Sequence, residues 1–97
     1  SQERQEMQAA KRRDHGRCRF PRCAFQHIPI DVAHRRHRGM GGNAKLDRTV
    51  RAGLLSLCRI HHGLWDAAAF EVEPVSSVVG FDGPAVFTSG GTVIGRG

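Results

Sequence analysis

At 97 residues, 39% hydrophobic with five Phe, one Trp and no Tyr, the chain can build one domain whose core alone gives marginal stability, so a further staple is expected. Three Cys cannot all pair with one another, and no run approaches the roughly 18 apolar residues of a membrane span, which excludes a disulfide scaffold and a membrane helix. The net charge is +6 and is unevenly spread: 14 Lys and Arg against 5 acids up to Arg59 (+9), then Arg96 alone against 4 acids (−3), so the first part suits a polyanion partner.

Residues 1–15 read as a helix or linker with few apolar positions, ended by Gly16. The opening SQERQEMQAAKRRDHG has no apolar run of the kind a secretory leader needs, so an intracellular, reducing setting is expected. The stretch RCRFPRCAF places Cys18 and Cys23 around a Pro-containing turn, the shape of a metal knuckle. Over 27–34, Ile28, Ile30 and Val32 alternate, which predicts a strand. The basic, Gly-rich 35–52 predicts a long loop, and Leu54–Leu57 a second short strand. From Arg59 to about Ala69 the spacing is helical, and the tail, with turn signals at Asp82-Gly83-Pro84 and Gly90-Gly91, predicts short strands packed on that helix. The expected organisation is an N-terminal helix or linker (1–16), a metal-stapled core (17–75) and a β tail (76–97).

Two short-spaced pairs, Cys18-x4-Cys23 and Cys58-x2-His61, can supply the four ligands of a structural zinc and so join segments about 40 residues apart. His62 competes with His61 for the fourth position, although a two-residue gap suits a knuckle. Beyond the staple stand His34, His62 and Asp66. His62 and Asp66 are spaced i, i+4 on one helix face and could hold a divalent ion with positions left open for water and phosphate. A neutral His34 could take the proton of an attacking water.

Three stretches, CRFPRC (18–23), DVAHRRHRGMGG (31–42) and LLSLCRIHHGLWD (54–66), together resemble the HNH endonuclease family. The resemblance implies an α+β fold, a small ββα-metal finger with structural zinc, here with an N-terminal helix and a C-terminal short β tail. It also implies a phosphodiester-hydrolysing enzyme that nicks or cleaves DNA. Carried over, His34 becomes the general base, His62 and Asp66 ligands of one catalytic divalent cation (Mg²⁺, Mn²⁺, Ni²⁺ or Zn²⁺), and Cys18, Cys23, Cys58 and His61 ligands of structural Zn²⁺. Arg35, Arg36, His37 and Arg38 fall where the family's loop meets the nucleic-acid backbone, and Lys45 and Arg48 extend that basic loop.

Two positions depart from the common pattern. Ala33 stands where many members place another ligand of the ion, and Gly53 where an Asn usually steadies the loop carrying the base. Asp31, two residues before Ala33 and on the same side of a strand, is expected to reach the ion instead. Ala33 and Gly53 are also what a catalytically impaired, zinc-stabilised nucleic-acid-binding module would carry, and that is the alternative function. The expected partner is DNA or RNA, with no membrane, and sequence preference supplied by further domains or partner proteins.

Overall fold

A computed structural model describes residues 2–35 and 50–97. Helix α1 (Gln2–Arg13) has Glu3 in its first turn and Lys11, Arg12 and Arg13 in its last, the charge order that suits the helix dipole. Gly16, at φ 66°, closes the helix by returning its N–H to the carbonyl of Lys11. Of helix and linker, the segment is a helix, and it is packed: Ala10 is fully buried against Val32 and Leu54, with Met7 alongside.

Strands β1 (Ile30–His34) and β2 (Leu54–Cys58) form an antiparallel pair in which Asp31 faces Leu57, Ala33 faces Leu55 and His34 faces Leu54. The strand expected from His27 begins only at Ile30. Ile28 instead donates its N–H to Phe25 in a turn, and Pro29 has no N–H to offer a ladder. A 3-10 turn, Arg51–Gly53, leads into β2.

Helix α2 (Arg59–Asp66) follows β2 without a loop, because Cys58 is its N-cap and accepts the His61 N–H through Sγ. It stops short of the expected Ala69. Ala68 takes a left-handed conformation (φ 58°), and Ala69 returns its N–H to Leu64, which terminates the helix. The tail is a three-stranded antiparallel meander of β3 (Glu71–Pro74), β4 (Ala85–Ser89) and β5 (Thr92–Arg96). Both flagged turns are turns: a 3-10 segment, Gly80–Asp82, precedes Gly83-Pro84, and Gly90-Gly91, both at positive φ, join β4 to β5. Gly80 is required at its position, since a Cβ there would lie 2.4 Å from the carbonyl of Ala52.

One buried cluster joins these pieces. Ala33, Leu55 and Leu57 of the first sheet meet Trp65 of α2 and Phe70, Val72, Phe81 and Phe87 of the tail. Each such side chain taken from water contributes roughly 1.5–3 kcal/mol, and through Trp65 one face of α2 is committed to this core. The result is a small α+β domain with two α-helices and two antiparallel sheets among the described residues.

Part of the basic charge is structural. Arg13 donates to Asp14, to the carbonyls of Arg51 and Leu54, and to Asp82. Asp14, almost wholly buried, also accepts the Ser56 N–H. Arg19 reaches the carbonyls of Phe81, Gly83 and Gly97, while Arg51 forks onto Asp82 and holds that carboxyl below its usual range. These contacts clamp α1, β2 and the tail together. No helix among the described residues is long and apolar enough to cross a membrane.

Candidate metal centre

The knuckle folds for local reasons. Phe20-Pro21-Arg22-Cys23 is a turn closed by the Cys23 N–H on the Phe20 carbonyl, with Pro presetting the second position and Arg22 at φ 56°. It brings Cys18 and Cys23 beside the first turn of α2, where the N-cap Cys58 and His61, three residues on, share the same end of the helix. The ligand atoms of Cys18, Cys23, Cys58 and His61 all lie within 4.8 Å of one another. Within the cluster, Cys23 Sγ is 3.9 Å from Cys58 Sγ, and His61 Nδ1 is 3.5 Å from Cys18 Sγ and 3.2 Å from Cys58 Sγ. A tetrahedral zinc with Zn–S of about 2.3 Å separates its ligands by about 3.8 Å. A disulfide needs sulfurs at about 2.05 Å, and all three cysteines are free.

The surroundings fit the same group. Burial pushes the Cys18 thiol up to about 12, so a nearby positive charge is needed if its thiolate is to persist there. Burial also depresses His61, which favours the neutral imidazole a metal requires. Phe20 stacks on the His61 ring at 4.0 Å and fixes its plane. The Phe25 N–H donates to Cys23 Sγ and the His61 N–H to Cys58 Sγ, contacts that would spread the negative charge of metal-bound thiolates. These four residues could therefore bind a metal ion such as zinc. Between the two candidates for the fourth position, the geometry selects His61, because His62 points elsewhere.

His62 is one residue further round the helix and faces the side of β1 that carries Asp31. Its Nδ1 lies 3.2 Å from Asp31 Oδ2, and its Nε2 lies 3.8 Å from Asp66 Oδ2. Arg59 also reaches Asp31, at 3.3 Å. Burial raises the Asp31 carboxyl, but the hydrogen bonds from Arg59 and His62 outweigh it and leave the group below its ordinary value. Asp31, His62 and Asp66 thus form a half-exposed row in which one ring nitrogen is tied to the strand and the other is turned toward the helix carboxylate.

His34 stands apart from that row. Strand alternation sets it with Val32 on the α1 side of the sheet, opposite to Ala33. Its Nε2 is 3.7 Å from Glu3 of α1, and among the described residues it makes no contact with His62 or Asp66. Its backbone is held on both sides: the Trp65 indole N–H donates to the His34 carbonyl at 3.2 Å, and the Arg35 N–H to the Gly53 carbonyl at 2.8 Å. Sequence reasoning missed the indole contact, which only the packing of α2 reveals. Arg35 lies 3.5 Å from Glu73. Arg36, His37, Arg38, Lys45 and Arg48 lie outside the described residues.

Comparison with protein-family models, with curated proteins and with solved structures returned no match for this chain.

Proposed function

We propose that this chain is an HNH-type, divalent-metal-dependent phosphodiesterase acting on DNA, built on a structural zinc at Cys18, Cys23, Cys58 and His61. The observation that carries this reading is the separate use of two adjacent histidines. His61 is buried among sulfurs, whereas His62 presents one nitrogen beside Asp66 at the surface while Asp31 fixes the other. A carboxylate behind a ligating histidine sets its tautomer and raises its basicity, so Asp31 serves as the orienter of His62 and makes up in part for Ala33.

In this reading His62 Nε2 and Asp66 hold the catalytic cation, Mg²⁺, Mn²⁺, Ni²⁺ or Zn²⁺, which supplies charge stabilisation to the phosphoryl oxygens. His34 accepts the proton of a water whose oxygen attacks phosphorus as the bond to the leaving sugar oxygen breaks. The Trp65 indole and the Gly53 carbonyl steady the backbone that carries His34, a task the family gives to an Asn that Gly53 replaces here. Sequence preference comes from partner domains, since a Gly-rich basic loop grips phosphates rather than base edges.

The placement of His34 on the α1 side, 3.7 Å from Glu3, favours a second reading: a zinc-stabilised nucleic-acid-binding module without catalysis. Supercoiled plasmid incubated with each of these cations separates the two. Metal-dependent nicking by the wild type, reduced at least a hundredfold in His62→Ala and His34→Ala, is the expected result. Intact plasmid binding with no nicking under any cation selects the binding module.

A further inference from the structure

Helix α1 faces the Asp31–His62 row across a groove of about 600 Å³. Arg4, Met7, Gln8 and Lys11 line it from the helix, and Asp31 and His62 from the opposite wall. Resting on the phosphodiesterase reading above, we infer that α1 is the second wall of the substrate site, with Arg4 and Lys11 gripping the backbone of a single nucleic-acid strand.

Geometry and charge carry this assignment. Arg4 and Lys11 are seven residues apart, so they lie on one stripe of the helix and about 10.5 Å apart along its axis. At that separation the two cations cannot share one phosphate and instead meet different phosphates of the same strand. Helix α1 is not free to swing, because Ala10 is buried and Arg13 is tied to Leu54 and Arg51. The two cations are therefore carried on a fixed support. A groove of this volume falls within the roughly 300–1,000 Å³ of ligand pockets. A segment of one strand suits that volume, whereas the major groove of a duplex alone, about 12 Å wide and about 8.5 Å deep, would exceed it over the same length.

The test is fluorescence anisotropy of a labelled single-stranded 12-mer, as DNA and as RNA, beside the same sequence as a duplex. The zinc-loaded 97-residue chain is used without added magnesium, over a series of salt concentrations. In the Arg4→Ala/Lys11→Ala double variant the slope of log K against log salt should fall by about 1.4, and affinity at 0.1 M salt should fall roughly tenfold or more. Lys11→Glu should weaken binding further than Lys11→Ala. Arg96→Ala, on β5 away from the groove, should leave both quantities unchanged. Both cationic side chains are exposed on α1, so zinc content and helical circular dichroism are expected to stay at wild-type values. A fall with both DNA and RNA means that the shared phosphate backbone is read, and a fall with only one names the sugar that is read with it.

An unchanged slope in the double variant, an equal fall in Arg96→Ala, or tighter binding of the duplex than of the single strand would overturn the inference. A changed slope without plasmid nicking by the wild type leaves α1 as the wall and removes the phosphodiesterase reading. Nicking with an unchanged slope does the reverse.

Discussion

His61 and His62 are neighbours in sequence and in helix, yet their surroundings have little in common. His61 is 7% exposed, stacked on Phe20, and turns Nδ1 to two sulfurs, whereas His62 lies half-buried between two carboxylates. The rotation of about 100° per residue along a helix places one ring in the core-side knuckle and the other on the face toward β1. The buried position is over-determined, with four potential ligands, N–H donors and an aromatic wall agreeing. The surface position depends on one hydrogen bond that His62 donates to Asp31. A small domain can thus separate what holds it together from what it does with adjacent residues, so long as a single turn of helix is anchored at its N-cap.

That contrast can be broken from either side. Cys58→Ser removes a ligand and alters the α2 cap in one change. Structural zinc in small finger peptides is worth roughly 10–16 kcal/mol, as much as the whole stability of a typical domain, so loss of bound zinc and of cooperative thermal unfolding is expected. Asp31→Ala should leave zinc content and the unfolding transition near those of the wild type while lowering metal-dependent nicking about 10- to 100-fold, and Asp31→Asn should recover part of that loss.

Smaller effects sharpen the picture. Trp65→Phe keeps an apolar ring in the core and deletes the donor to His34. Leaving a buried carbonyl unsatisfied costs about 1–3 kcal/mol, and the His34 carbonyl is only part-buried, so denaturant unfolding should report a loss toward the lower end of that range together with reduced nicking. Arg22→Gly should be the mildest, since it relieves a positive φ in the knuckle turn at the cost of unfolded-state entropy. A gain of under about 1 kcal/mol with unchanged zinc content is expected in the same unfolding experiment.

Much of the metal centre was legible in the sequence because it depends on local spacing. Cys18-x4-Cys23 around a proline and Cys58-x2-His61 at a helix start announce a knuckle and a cap, and both arise from backbone geometry over a few residues. The strand pair, the helix after Cys58 and the tail turns at Gly83-Pro84 and Gly90-Gly91 followed from alternation and turn chemistry. The ends were less legible: Pro29 and the Phe25–Ile28 turn delay β1, and Ala68, a residue with no intrinsic preference for positive φ, ends α2 early. Long-range use of charge could not be read at all. Arg13, Arg19 and Arg51 look like nucleic-acid contacts in a basic stretch, yet they clamp Asp14, Asp82 and carbonyls of the tail, partners up to 78 residues distant. The side of the sheet taken by His34 was likewise hidden, because spacing alone does not say which face of β1 the helix α1 covers.

Whether the two histidines do different work is tested most directly by the metal content of His61→Ala beside His62→Ala. Elemental analysis of the purified proteins should find one zinc per chain in the wild type and in His62→Ala, and well under one in His61→Ala. Zinc retained in His61→Ala and lost in His62→Ala, or absent from the wild type, would contradict the assignment.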